Sequence, residues 1–330
     1  MNVLIGDIGG TKTILAVCTS KQGPNKLLVE KTYPSNAYHS LEDIITEFLA
    51  SVNLSVERAC FGVAGPVIAR SARITNLTWT IDAARIETTF SIYPVCLLND
   101  MESLAYAIPI LKTEDIHILN PGVPVHGGPL ALLAPGTGLG EGYLTWENEQ
   151  YEAHASEGSH VSFGPVGTLQ MELLAYLNKC GYTHVSYERV CSGGLGIPLL
   201  YAFLKDSGHA EEPEWLADKL AQCDDPSPVI FAAAQDQNQP CGIARSVLTM
   251  FVEILGAEAG NLALKVLSTG GIYLGGGIPP KILAELQQPY FLHAIQSKGR
   301  FDSILRKMPV NVILNAKAGL LGAAAYGVAM

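Results

Sequence analysis

Residues 2–17 read NVLIGDIGGTKTILAV, and the reading of this stretch decides the fold. The runs at 3–6 and 13–18, rich in Val, Ile and Leu, have the length of buried strands and not of helices. They form a hairpin through Gly9, Gly10 and Thr11. The turn is not a P-loop, because the G-x-x-x-x-G-K-[ST] order is absent and a strand follows, and it is not the dinucleotide fingerprint. Its glycines let backbone amides approach a ligand closely, and Thr11 and Lys12 add donors, so it suits a phosphate cradle made without a helix dipole. Asp7 repels bare phosphate but fits if a magnesium ion stands between them. The other reading is an ordinary glycine-rich hairpin.

The pattern returns at 130–146 as LALLAPGTGLGEGYLTW, with Gly136, Thr137, Gly138 and Gly140 at the turn and no acid before it. One structural unit used twice, once per lobe, supplies a nucleotide triphosphate with donors from two walls. A third glycine element, LGGGI at 274–278, either leaves room beside its strand for a ring or ribose or packs helix against strand. Between these elements strands and helices alternate. Helices are expected at 40–51, 101–111, 169–181, 196–206, 211–223 and 243–267, with strands at 58–67, 72–79, 95–100 and 309–314 and a final small-residue helix at 318–330. This alternation predicts an α/β fold with a largely parallel or mixed sheet.

Composition agrees. The 330 residues suit two lobes of ordinary domain size. Apolar residues make up 48% and charged residues 16%, the mixture of a packed chain and not of a disordered one. A net charge of −10 opposes general affinity for nucleic acid or anionic membrane. Seven cysteines occur without a C-x-x-C pair, which argues against a zinc cage or redox dithiol and for reduced thiols. With no basic flank before the first apolar stretch, and no run read as approaching the roughly 20 apolar residues of a spanning helix, the expected location is the cytoplasm.

Polar residues that could carry chemistry are few. Asn99 and Asp100 end an apolar strand, where open α/β sheets present ligand-binding side chains. Asp100 there either accepts a proton from a hydroxyl nucleophile or caps the helix that begins at Met101. In HASEGSHVSFGP, residues 154–165, His154, Glu157 and His160 recur every third position, but Gly158, Gly164 and Pro165 indicate a loop. This argues against a helical metal face and for hydrogen bonds to sugar hydroxyls or a solvated loop. Glu188 either opens a helix or reaches a ligand.

Taken together, GDIGGTKT, LLNDMESLAYAIP, GTGLG, EGSHVSF, ERVCSGGLG, LGGGI, KGRF and AGLLGAAAY, in this order over nearly the whole chain, resemble the bacterial glucokinase family of the hexokinase and actin-like ATPase superfamily. The resemblance implies a two-lobed, ribonuclease H-like α/β fold with a cleft between a smaller domain, 1–109 plus about 301–330, and a larger one, 110–300. It implies ATP with Mg2+ as cofactors, glucose as acceptor and a homodimer. Gly6, Asp7, Ile8, Gly9, Gly10 and Thr11 match the first phosphate motif. Gly136, Thr137 and Gly138 match the second, and Gly275, Gly276 and Gly277 the adenosine motif. Asn99, Asp100, Glu157, His160 and Glu188 match the sugar-binding residues, with Asp100 the base and Asp7 the metal residue. The sequence departs from the family at Lys12, Ser159 and Ser162. A kinase of another hexose or hexosamine, or an actin-like ATPase without a sugar acceptor, are the competing readings.

Overall fold

The computed structural model describes residues 1–74 and 77–330. Thr75 and Asn76, inside the strand pair expected near 72–79, lie outside the described residues. The chain divides into two compact units, one of residues 1–116, 146–155 and 315–330 and one of residues 117–145 and 156–314.

In chain order the first unit holds β1 (Asn2–Ile8), β2 (Lys12–Thr19), β3 (Gly23–Pro34), α1 (Leu41–Ser51), β4 (Arg58–Val63), β5 (Val67–Ile68), β6 (Ser71–Arg73), β7 (Thr80–Asp82), α2 (Ala83–Phe90), β8 (Val95–Asn99) and α3 (Asp100–Ala107). Then come β9 (Ile116–Asn120), β10 (Leu130–Pro135), β11 (Leu139–Glu147), β12 (Gln150–Ser156), α4 (Gly167–Lys179), α5 (Tyr187–Val190), α6 (Gly196–Asp206), α7 (Glu214–Ala221), α8 (Pro226–Gln235) and α9 (Gly242–Val266). The chain closes with β13 (Gly271–Leu274), α10 (Leu283–Leu286), α11 (Pro289–Gln296), α12 (Asp302–Leu305), β14 (Val310–Ile313) and α13 (Ala318–Ala329).

The main sheet of the first unit has the order β3-β2-β1-β4-β8. β1 pairs antiparallel with β2, with Asp7 opposite Ile14, and parallel with β4, which pairs parallel with β8. β1 is therefore central, and Val3, Leu4, Ile5 and Ile8 are buried. One face packs on α1, whose Leu41, Ile44, Ile45 and Phe48 fall on one helical stripe. The Ser40 hydroxyl starts that helix by accepting from the Asp43 amide at 3.2 Å. The other face packs on α13 through Leu320, Ala323 and Ala324.

The second unit repeats the scheme. β10 pairs antiparallel with β11 and parallel with β13, which pairs parallel with β14. The order β11-β10-β13-β14 thus matches β2-β1-β4-β8, so the repeated apolar-glycine-apolar pattern corresponds to a repeated topology. Its core is built around α9. That helix corrects the membrane reading, since its 25 residues include an 18-residue window with a mean hydropathy of 1.5 and are, by length and composition, long and apolar enough to cross a bilayer. Its apolarity serves the core instead, where Val247, Phe251, Ile254 and Leu255 are buried.

The boundary at 301 is also corrected. β14 is hydrogen-bonded to β13, so residues up to Leu314 belong to the second unit and only 315–330 return to the first, while 146–155 join the first. β3 was not foreseen because it is an edge strand whose residues are mostly exposed or half-buried, leaving no alternation to read.

Candidate active site

In the first unit the turn after β1 is held from beneath. Gly9 donates its amide to Lys12 O at 3.0 Å, and Ser35 donates its amide to Thr11 O at 3.0 Å. The buried Ser35 hydroxyl donates to Gly9 O at 2.7 Å and meets Thr13 Oγ1 at 2.9 Å. Ser35 was not anticipated from sequence. It lies beyond β3, and only the pairing of β2 with β3 brings it to the turn.

Asp7 lies at the end of β1 with its carboxyl beside Gly319 of α13, where an added methyl would stand 3.8 Å away. Burial raises its pKa, and Lys12 opposes the rise. Gly6 and Ile8 of the first phosphate motif also pack against the core. Ile8 is fully buried, and a methyl on Gly6 would lie 2.8 Å from Phe61 Cδ1 and 2.9 Å from Leu15 Cδ2. Gly9, Gly10 and Thr11 remain partly or fully open at the turn.

The cap of the helix at Asp100 is supplied by its neighbour. Asn99 is the N-cap of α3: its Oδ1 accepts from the Met101 amide at 2.8 Å, and Glu102 Oε2 accepts from the Asn99 amide at 2.9 Å. With this capping box in place, the Asp100 carboxyl accepts from the Met101 amide at 3.0 Å, and its own amide and the Asn99 side chain also stabilise its charged form. Asn99 Nδ2 donates to Gly65 O at 3.0 Å, which fixes the orientation of that amide. Asp100 is exposed, yet the protein around it desolvates the carboxyl enough to raise its pKa. The Met101 amide opposes this rise, and the negative charge of Asp7 adds to it. The two aspartates feel each other because β1, β4 and β8 run parallel and end together.

In the second unit three glycine turns are stitched into one shelf. Gly136 N donates to Gly138 O at 2.8 Å, Gly193 N to Gly136 O at 2.8 Å, Gly194 N to Thr137 O at 2.9 Å, and Gly275 N to Leu133 O at 2.8 Å. Gly276 has φ +81°, and a side chain there would strike Pro135 O at 2.7 Å, so that position excludes other residues. Gly277 is open, with nothing within 4 Å of an added methyl. Gly193 and Gly194 were given no role from sequence. Their SGG run is legible as a turn, but its contact with 136–138 is purely tertiary.

The loop 157–163 is zipped to 184–187: Phe163 N donates to Val185 O at 2.8 Å, and Ser162 bridges Ser186. The pairing brings three expected sugar contacts together. His160 Nδ1 lies 3.3 Å from Glu188 Oε2 and its Nε2 3.7 Å from Glu157 Oε2. Glu188 also borders the phosphate hairpin, since a methyl on Gly138 would meet its Oε1 at 2.8 Å. Ser159 is buried beneath the loop. His154 lies on β12, in the segment counted with the first unit. Among the described residues no group of three His, Cys, Asp or Glu side chains is arranged to hold a metal ion.

A sequence profile described as Glucokinase matches residues 4–330. The chain belongs to the glucokinase family. It is 38% identical to the glucokinase of Nostoc punctiforme over 335 residues, covering 98% of this chain and 97% of that one. It is 35% identical to the glucokinase of Yersinia pestis, covering 98% and 95%. Among solved structures, a glucokinase from an Antarctic psychrotroph matches with TM-score 0.84 and 29% identity over 100% of this chain and 99% of that one. A ROK family glucokinase from Streptomyces griseus in complex with glucose and AMPPNP shares the fold at TM-score 0.62 and 21% identity, covering 100% of both chains. The architecture is thus the actin-like kinase fold of the glucokinases.

Proposed function

We propose that this glucokinase-family enzyme transfers the γ-phosphoryl group of ATP to the 6-hydroxyl of glucose, giving glucose 6-phosphate and ADP and feeding glycolysis. The observation that carries this reading is that Asn99 takes the helix cap and leaves the Asp100 carboxyl exposed at the start of α3, within reach of the Asp7 charge. Asp100 accepts the hydroxyl proton at a carboxylate oxygen as the phosphoryl group transfers. Its raised pKa makes it a better base than a free aspartate, for which about 3.9 is usual. Glu157, His160 and Glu188 supply acceptors and a donor for the remaining sugar hydroxyls. The amides of 9–11 in the first unit offer donors to phosphate oxygens, and in the second unit the shelf formed by 136–138, 193–194 and 275–277 offers its own.

The Asp7 carboxyl, raised by desolvation, would hold Mg2+ directly or through water, because hard cations prefer carboxylate oxygens. Bound there, it would neutralise phosphate charge. Seven free thiols, four of them buried, support a reducing cytoplasmic location, and the family resemblance supports a homodimer, which light scattering on a sizing column would test. The deciding assay couples ADP release to a panel of hexoses and N-acetylhexosamines with ATP and Mg2+. ATP hydrolysis that no sugar stimulates, or a preference for another hexose over glucose, refutes the proposal.

A further inference from the structure

The functional reading leaves one buried acid unused. Glu141, on β11, is fully buried, and neither carboxyl oxygen has a hydrogen-bond partner. It lies directly under the sugar loop: a methyl on Gly158 would stand 2.3 Å from its Oε2 and 3.3 Å from its Cδ. The Gly158 amide, the backbone donor of that glycine, is engaged by Ser156 Oγ at 3.0 Å. The groups facing Glu141 are identifiable on each neighbouring element. α9 presents Glu258 and Lys265, themselves paired at 3.3 Å. Cys191, after α5, is a buried thiol raised by desolvation and by both glutamates. The loop carries Glu157 and His160, β10 sets Leu133 opposite, and β12, on the other side of β11, carries Glu152 and His154 and ends at Ser156.

A neutral carboxyl can sit in such a place, whereas an ionised one requires donors that the arrangement does not provide. Resting on the glucose-kinase reading, we propose that Glu141 is a positioning residue for the sugar loop: its protonated carboxyl is the floor on which Gly158 seats, and its ionisation unseats Glu157 and His160. An ionised carboxylate would draw the Gly158 amide away from Ser156, or Lys265 away from Glu258, and either shift moves the loop. Glucose affinity is then linked to this proton, while nucleotide affinity is not.

Burial and the nearby Glu258 raise the Glu141 pKa to about 7, with Lys265 opposing. If only the protonated form holds the loop, apparent glucose KM stays level below about pH 6, rises about twofold by pH 7 and about tenfold by pH 8, in inverse proportion to the competent fraction. The experiment measures glucose KM, ATP KM and glucose binding without nucleotide, for wild type and Glu141→Gln, from pH 6 to 8.5. The expected result is a wild-type glucose KM that climbs with pH, a Glu141→Gln KM that stays flat, and parallel ATP KM profiles in the two proteins. Should the amide variant fail to fold, Glu141→Met fills the same space without charge and carries the same expectation. A wild-type profile that is flat, or a climb that persists in the uncharged variant and so belongs to another group, overturns the inference. Wild-type protein that phosphorylates no glucose at any pH fails the functional reading itself, an outcome distinct from either of these.

Discussion

Replacing Gly322 by alanine tests whether α13 sets the position of the Asp100 carboxylate, the proposed base. α13 packs on α3 so closely that a Cβ on Gly322 would fall 1.5 Å from Ser103 O and 3.0 Å from Ala107 N. Both neighbours are backbone atoms, so no side chain can swing away. Ordinary contact begins near 3.4 Å, and the helices must therefore part by about 2 Å, an overpacking that costs roughly 1–3 kcal/mol. α3 is fixed elsewhere as well: Ser103 Oγ donates to Gly319 O at 2.8 Å, and a methyl on Gly62 of β4 would meet Ser103 Oγ at 2.6 Å. A forced α3 carries Asp100, in its first turn, out of register with Asp7. A misplacement on the order of 1 Å can lower turnover about 10²-fold. Thermal melts and steady-state kinetics at saturating ATP should show a lower Tm and a kcat reduced by at least tenfold, with glucose KM changed much less, because Glu157, His160 and Glu188 belong to the other unit. The control is Gly242→Ala at the start of α9, where nothing lies within 4 Å, with unchanged kcat and a gain of less than about 1 kcal/mol. Wild-type Tm and kcat in Gly322→Ala would refute the argument.

Three further outcomes are expected. Asp100→Asn should lower kcat by about 10²- to 10⁴-fold with a small change in glucose KM, read by the coupled assay, and near-normal turnover would remove Asp100 as the base. Ser35→Ala should raise ATP KM and cost about 1–3 kcal/mol in denaturant unfolding, because Gly9 O and the buried Thr13 hydroxyl lose their partner; an unchanged ATP KM would show that the turn needs no such support. Glu141 has a folded pKa of about 7 against an ordinary 4.5, so the folded state holds the extra proton and stability falls as pH rises between those values. Glu141→Gln should therefore gain on wild type across that window, by up to about 3 kcal/mol above it, and a Tm difference independent of pH would contradict the burial argument.

Much of the architecture can be read from local chemistry. Apolar runs of strand length flanking Gly9 and Gly136 announced both hairpins, and the stretch at 196–206 coincides with α6, because β-branched runs, helical periodicity and glycine punctuation are properties of a few consecutive residues. The residue types of the site were legible for the same reason: acids, a histidine and glycine turns stand out from an apolar chain. Tertiary structure decided what depends on distant neighbours. It chose Asn99 over Asp100 as the cap, buried Gly6 and Ile8 while leaving Gly9 and Gly10 at the turn, brought Ser35 under the first hairpin and Gly193 against the second, and enclosed Glu141 beneath Gly158. Each of these outcomes depends on strand register and helix contact between segments tens of residues apart, and one-dimensional periodicity does not encode which partner a given side chain will meet.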